Sequence, residues 1–435
     1  MSPDGTLAAN AEDRSGVVGG DWPDPVSVPA PPEALYVHVP FCISLCPYCD
    51  FVVVAGAAAR GIGSRISAYL AAVRHELLLR AELLDTRWGP LARGGRPRLG
   101  ALYLGGGTPS LLPAGAVAEI VALVDERYGL APGAEITLEA NPGPEDRGDA
   151  AALVAAGITR LSYGIQALDD ATLKGLGRRH RAADVADAVT EARAAGVSSL
   201  SLDLLYDVPG GTVDGWMTTL EWALELEPDH LSLYALTLDD PEAEGLTGLL
   251  GDHLPTARGA RRWRDAARAG QDEDRAAAMY HHAVHRLAAA GLDGYEISNW
   301  ARPGHESRHN LAYWERRPYE AVGPGAHAFD GAIRRWNAAR LDAYLEALAP
   351  ADGRRPSLPP GGHEAVDPMT AAAERVILGL RMAKGIPTAA MLEPPLAEQF
   401  GWALAAELLE VTPDQRIVLT TRGRLLSNEL FARLV

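Results

Sequence analysis

The chain has 435 residues, enough for one large domain and a smaller one, and its 47% hydrophobic and 22% charged content is that of an ordinary globular protein. A formal net charge of −17 argues against non-specific binding to nucleic acid or anionic lipid, although it leaves room for a local basic pocket. Every apolar run is broken by Arg, Asp or Gly well short of a membrane span.

Met1 to Asp24 is acidic and Gly-rich, with none of the apolar stretch of a secretory signal. Residues 1–33 read as a disordered leader, because Pro29, Pro31 and Pro32 cannot join the interior of a sheet or helix. From Ala34 a unit repeats: a short β-rich run, a Gly/Pro/Asn turn, then a helical segment. The spacing predicts strands at 35–39, 100–104, 135–140, 159–165, 199–205 and 230–236. Helices are predicted near 64–84, 115–128, 148–156, 183–195 and 213–226. Such alternation gives right-handed βαβ crossovers and a parallel sheet. Six units are too few for a closed eight-fold barrel, so the expected fold is α/β, a partial open (β/α)6 barrel. With its extension this core spans 34–350.

Past the sixth strand, 241–275 reads as an exposed Ala/Arg/Asp/Gly-rich insertion, 276–290 as a helix, and 295–329 as a dense polar and aromatic stretch. A Pro/Gly linker, 351–363, leads to a small domain at 364–435. Its helices are expected near 368–383 and 396–409, with a hairpin-like Ile417–Thr420 and a last helix over 421–433. Helices beside a short β-pair suggest a winged-helix-like unit. The segment lacks a basic recognition helix, so a packing or lid role is expected rather than nucleic-acid binding.

The first strand runs into Cys42, Cys46 and Cys49, spaced CxxxCxxC, the chain's three cysteines. Three thiols in one loop imply a reducing cytoplasm rather than a disulfide scaffold. A [4Fe-4S] core usually takes four cysteines, so three would leave one iron open to a small molecule. The alternatives are a Cys3His zinc site completed by His38 or another His, or three buried thiols.

Parallel sheets carry their sites at the C-terminal ends of strands, and the chemically loaded residues fall there. Gly105-Gly106-Gly107-Thr108-Pro109 follows the second strand, where bare backbone can approach a ligand. Glu139 ends the third strand, placed to bind ribose hydroxyls or simply to cap a helix or carry surface charge. Gln166 ends the fourth strand and Asp203 lies in the fifth. Arg178 suits an anionic ligand group as well as it suits solvent.

The cysteine spacing and its lead-in resemble the radical S-adenosylmethionine (SAM) superfamily. That resemblance implies a partial barrel, a [4Fe-4S] cluster whose open iron is chelated by the amino and carboxylate groups of SAM, and an electron donor to reduce it. Tyr36-x-His38-x-Pro40-Phe41-Cys42, GGGTP, Leu161–Gln166 and Asp203–Tyr206 together resemble the oxygen-independent coproporphyrinogen III dehydrogenase family, over about 34–330. Carried over position by position, the likeness implies that Tyr36, Gly106 and Glu139 bind the cluster-bound SAM. It places Tyr48, Gly107, Thr108, Gln166, Arg178 and Asp203 around a second SAM.

Two departures distinguish the branch. Where the dehydrogenase pattern continues Cys-x-Cys, this chain reads Cys49-Asp50-Phe51. Further on, His309-Asn310-Leu311-Ala312-Tyr313-Trp314 gives an HNxxYW signature similar to that of the haem chaperone HemW branch. The branch implies haem and haem-accepting apoproteins as partners. The parent family implies instead conversion of coproporphyrinogen III to protoporphyrinogen IX. His309 is the first candidate for a haem ligand, with His305 and His327 as rivals, and this segment is expected to return across the open C-terminal edge of the sheet. Asn310, Tyr313 and Trp314 could equally pack that edge. His281, His282 and His285 share a helix face that suits metal or solvent.

Overall fold

The structure, a computed structural model, describes residues 28–55, 62–238, 241–349, 353–392 and 397–434. The leader expected over 1–33 therefore lies outside the described residues as far as position 27. Residues 28–33 follow the sheet: Ala30 N–H donates to the Asp330 carbonyl (2.8 Å) and Glu33 N–H to that of Pro318 (2.9 Å).

The barrel begins with β1 (Ala34–Val39), α1 (Ile62–Trp88), β2 (Leu99–Gly106), α2 (Ala114–Arg127), β3 (Leu130–Ala140), α3 (Ala150–Ala155) and β4 (Arg160–Gln166). It continues with α4 (Asp170–Gly175), α5 (Ala182–Ala194), β5 (Ser199–Tyr206), α6 (Val213–Glu225) and β6 (His230–Ala235). All six strands are parallel neighbours in chain order. The alternation of side chains decides which face meets which layer. Leu35, Val37 and Val39 join Tyr69, Val73 and Leu77 of α1 and Val117, Ile120 and Val124 of α2 in one core. The residues between, such as Tyr36, Tyr103, Glu139, Ser162 and Asp203, are left to face the barrel interior. Asp149, Asp169 and Thr212 start α3, α4 and α6 by accepting from first-turn N–H groups.

The six-strand core is as the sequence predicts; its flanks are not. After α7 (Arg258–Arg268) and α8 (Glu273–Ala289), the short β7 (Asp293–Gly294) and β8 (Asn299–Ala301) pair antiparallel beyond β6. After α9 (Arg308–Trp314), β9 (Tyr319–Val322) adds a parallel strand on the outer side of β1. Next come β10 (His327–Phe329), β11 (Ile333–Asn337), α10 (Leu341–Leu348) and β12 (Gly361–Ala365). These three strands extend that edge, giving a 12-stranded sheet in the order β12-β11-β10-β9-β1-β2-β3-β4-β5-β6-β8-β7. Among the described residues no pairing joins β12 to β7, so the barrel is open. Buried Glu76 of α1 ties the added edge down, accepting from Arg80, Asn337, Tyr344 and Gly323 N–H.

The small C-terminal unit holds α11 (Pro368–Arg381), β13 (Ile386–Pro387), α12 (Ala397–Ala405), β14 (Leu409–Val411), β15 (Arg416–Leu419), α13 (Thr421–Leu425) and α14 (Ser427–Phe431). Its antiparallel sheet, β13-β15-β14, and a separate core of Val376, Leu380, Phe400, Ile417 and Leu430 fit a mostly helical winged unit. It meets the barrel where Ala383 N–H donates to the Tyr295 carbonyl (2.9 Å) and where Arg381 lies 4.4 Å over the Trp314 ring. Among the described residues no helix is long and apolar enough to cross a membrane.

Candidate functional site

The C-terminal ends of the parallel strands converge on one cavity of about 430 Å³. Its walls include Cys42, Cys46, Cys49, Tyr48, Gly106, Gly107, Thr108, Glu139, Gln166, Arg178 and Asp203, which places most of the residues singled out from the sequence in one place. Tyr36 and His309 lie behind this wall.

The cluster loop is stitched to the end of β2 chiefly by backbone. Gly107 N–H donates to the Val39 carbonyl (2.8 Å) and Thr108 N–H to that of Phe41 (2.7 Å). This approach requires glycine, because a Cβ on Gly107 would lie 2.6 Å from the Phe41 oxygen. The loop's return arm hangs on His38, whose Nε2–H donates to the Val52 carbonyl (2.7 Å) while Nδ1 accepts from the Tyr36 hydroxyl (3.0 Å). Both ring nitrogens are thus engaged away from the thiols, which removes His38 as the fourth ligand of a zinc site.

The three thiols are free. Burial pushes the Cys42 thiol up to about 11, partly offset by the Thr108 hydroxyl at 3.5 Å, and burial raises Cys49 further. Such thiols hold a metal group once it displaces their protons. Arg178 supplies the compensating cation. Its Nη1 lies 3.6 Å from Cys46 Sγ, and its Nη2 donates to the Gly164 carbonyl (2.6 Å) and to Asn141 Oδ1. Burial lowers the tendency of this guanidinium to stay charged, but Tyr48 and Cys46 outweigh it and hold it well above the usual range. It is a half-buried cation held by protein partners, not a free surface charge. Two buried polar atoms here, Tyr48 OH and Arg178 Nε, have no partner. Three thiols, a half-buried cation and two unanswered polar atoms around one cavity fit an iron-sulfur cluster with a polar small molecule beside it.

Glu139 is neither a helix cap nor a surface charge. Its Oε1 accepts from the Tyr103 hydroxyl (2.7 Å) and its Oε2 from Gly106 N–H (2.8 Å). Burial raises its pKa to about 7 against those hydrogen bonds. Asp203 accepts from Ser162 (3.2 Å) and Ser201 (3.4 Å), and burial raises it too. A register shift between Gly164 and Gln166 leaves Gln166 at a φ of 63°, and its side chain lines the cavity.

The HNxxYW segment is not where the sequence suggested. Instead of crossing the C-terminal edge, α9 packs Ala312 against Ala34 and Ala101, the early residues of β1 and β2. His309 is only 2% exposed. It stacks on Tyr103 (4.8 Å between centroids) and Tyr36 (5.7 Å), with Nε2 at 2.7 Å from the Tyr313 hydroxyl and a buried Nδ1 that lacks a partner. Burial lowers its pKa to about 3, so the ring is neutral. Small alanines let the helix seat this closely, a feature that residue-type periodicity does not reveal. Ser307 and Asn310 of this segment do reach the cavity. Of the rivals, His305 bonds Ser199 (3.1 Å), whereas His327 is half-exposed on β10 with Nε2 2.9 Å from Asp252. His281 and His285 lie exposed on α8.

Sequence reasoning assigns no role to Asn141, which donates to Thr108 Oγ1 (3.1 Å) and Asp146 Oδ2 (2.9 Å) and so orders the strand ends that Arg178 joins. Its place two residues after Glu139 was the available signal. The insertion is exposed over most of its length, as expected, but α7 buries Arg264 and Ala267 and through Arg264 docks on the cluster loop.

Comparison with known proteins agrees with this geometry. The family model described as the radical SAM superfamily matches residues 36–223. A protein of Mycobacterium tuberculosis named heme chaperone HemW is 37% identical, over 95% of this chain and 98% of its own. One of Bacillus subtilis with the same name is 29% identical, over 92% and 98% respectively. Among solved structures, coproporphyrinogen III oxidase (HemN) from Escherichia coli superposes with a TM-score of 0.72 at 22% identity, covering 94% of this chain and 91% of that one, a likeness of fold.

Proposed function

The chain belongs to the haem chaperone HemW family within the radical SAM superfamily, and from that premise we propose that it binds haem and hands it to apoproteins in the cytoplasm. The observation that carries this is the 37% identity, end to end, with a protein named heme chaperone HemW. Exposed Phe51, where the porphyrinogen-converting pattern has a fourth cysteine, points the same way.

Cys42, Cys46 and Cys49 would hold a [4Fe-4S] cluster, which supplies one open iron for SAM and an electron received from a donor protein. Arg178 offsets the negative charge of the thiolates at Cys46. Gly106 and Glu139 form the wall for the cluster-bound SAM, with Tyr36 behind it. In that wall Tyr103 and Gly106 N–H hold the Glu139 carboxyl, while Tyr36 acts through His38. Tyr48, Gly107, Thr108, Gln166, Arg178 and Asp203 form the remaining polar wall, where a second SAM would sit.

Haem ligation has two candidates of different character. His327 offers a half-exposed ring oriented by a carboxylate, the usual support of a metal-ligating imidazole. Burial lowers its pKa in spite of Asp252, which favours the neutral ring that iron needs. His309 would have to leave its stack on Tyr36 and Tyr103. Titrating haem into wild type, His327→Ala, His309→Ala and His305→Ala tests the reading. The ligand is the residue whose loss moves the Soret band, and failure of wild type to take up haem ends the proposal.

A further inference from the structure

The stretch 241–275 brings one buried arginine onto the cluster loop. Arg264 of α7 is 4% exposed. Its Nε donates to the Pro47 carbonyl (3.0 Å) and its Nη2 to the Cys49 carbonyl (2.9 Å). These carbonyls flank the last turn of the cysteine loop, and one belongs to a cluster cysteine.

The helix carrying Arg264 is itself anchored. Trp263 Nε1–H donates to the Gly175 carbonyl (3.0 Å), and its ring lies 6.2 Å from that of Tyr48. Ala267 packs with Leu176, Val208, Leu236 and Leu238, and Arg268 bonds the Leu238 carbonyl (2.8 Å). A loop between strand and helix ordinarily meets solvent with its carbonyls. Here a planar, permanently charged fork spans two of them, which a single ammonium cannot reproduce.

We propose that Arg264 is a positioning residue for the cluster: it locks the Pro47–Cys49 turn so that the thiols stay turned into the cavity, and its charge favours the reduced cluster. It does not touch SAM or haem in this account. The inference rests on the cluster being held by Cys42, Cys46 and Cys49. Iron analysis of the triple Cys→Ala variant tests that premise separately.

Two effects are separable by two variants. Arg264→Lys keeps the charge but loses the two-carbonyl span; Arg264→Gln loses both. Reconstituted wild type and variants are challenged anaerobically with an iron chelator, and the cluster midpoint potential is measured by EPR-monitored titration. Iron should leave both variants at least about tenfold faster than wild type. The reduced-to-oxidised ratio at fixed potential should fall about tenfold in Arg264→Gln, a shift of about 59 mV to lower potential, and change little in Arg264→Lys. Circular dichroism of the unloaded variants shows whether the barrel is intact. If Arg264→Gln does not fold, the iron-loss rate of Arg264→Lys decides the matter. Wild-type iron retention in Arg264→Lys overturns the positioning role. An unshifted potential in folded Arg264→Gln overturns the electrostatic one.

Discussion

Replacing Gly106 by Ala tests how the β2 turn supports the cluster loop. Gly106 has a φ of +110°, and an added Cβ would lie 2.4 Å from His38 Cε1 and 2.5 Å from Nδ1. His38 cannot yield freely, because it is pinned between the Tyr36 hydroxyl and the buried Val52 carbonyl. The backbone conformation alone costs a non-glycine residue about 1–2 kcal/mol. Displacing His38 forfeits two hydrogen bonds worth about 1 kcal/mol each. Together these destabilise the barrel by about 3 kcal/mol, or roughly 1 M in urea midpoint for an m-value near 3 kcal/mol/M. Urea unfolding of unloaded protein, followed by tryptophan fluorescence, measures this directly. The displaced His38 also frees Val52 and the return arm, so iron uptake on reconstitution should fall by more than half. An unchanged midpoint together with full iron content would show that His38 does not couple the turn to the loop.

Glu139→Gln should flatten part of the pH dependence of stability. The native carboxyl is raised by burial to about 7 from an ordinary 4.5, so its contribution is fully present below 4.5 and is lost as pH rises through 7. That amounts to about 3 kcal/mol in wild type, absent in Glu139→Gln, in unfolding measured from pH 4.5 to 8. Identical pH profiles would mean the carboxyl is solvated. Reconstituted wild type should hold one [4Fe-4S] cluster per chain, and Cys42→Ala, Cys46→Ala or Cys49→Ala should each lose most of the iron. SAM should also perturb the EPR spectrum of wild type, through the open iron. Given reductant and SAM, the protein should yield no protoporphyrinogen from coproporphyrinogen III beyond a Cys49→Ala control; steady conversion would move the reading to the parent family.

What the sequence made legible follows from how strongly each feature is encoded locally. The six parallel strands are apolar runs closed by glycines and flanked by periodic helices, so they read clearly. The convergence of Cys42, Gly106, Glu139, Gln166 and Asp203 followed from one topological rule about strand ends. The added edge of four strands was opaque because its first strand, Tyr319–Val322, has only four residues and gains its place by pairing with β1. Nothing in Arg-Arg-Trp-Arg distinguishes buried Arg264 from solvated Arg261 and Arg262; only the fold brings the Pro47 and Cys49 carbonyls to it. Likewise His309 read as a haem ligand from its type and motif, whereas the alanines at 34, 101 and 312 that let it sink into the barrel carry no sign of a partner.

The central claim is tested most directly by haem transfer. The protein is loaded with one equivalent of haem, freed of excess, and mixed with a haem-depleted acceptor; the acceptor's own Soret band is then followed in time. The acceptor's spectrum should appear at the expense of the donor's, faster than from free haem added to an inert carrier protein. Absence of stable loading, or transfer no faster than from that carrier, would contradict it.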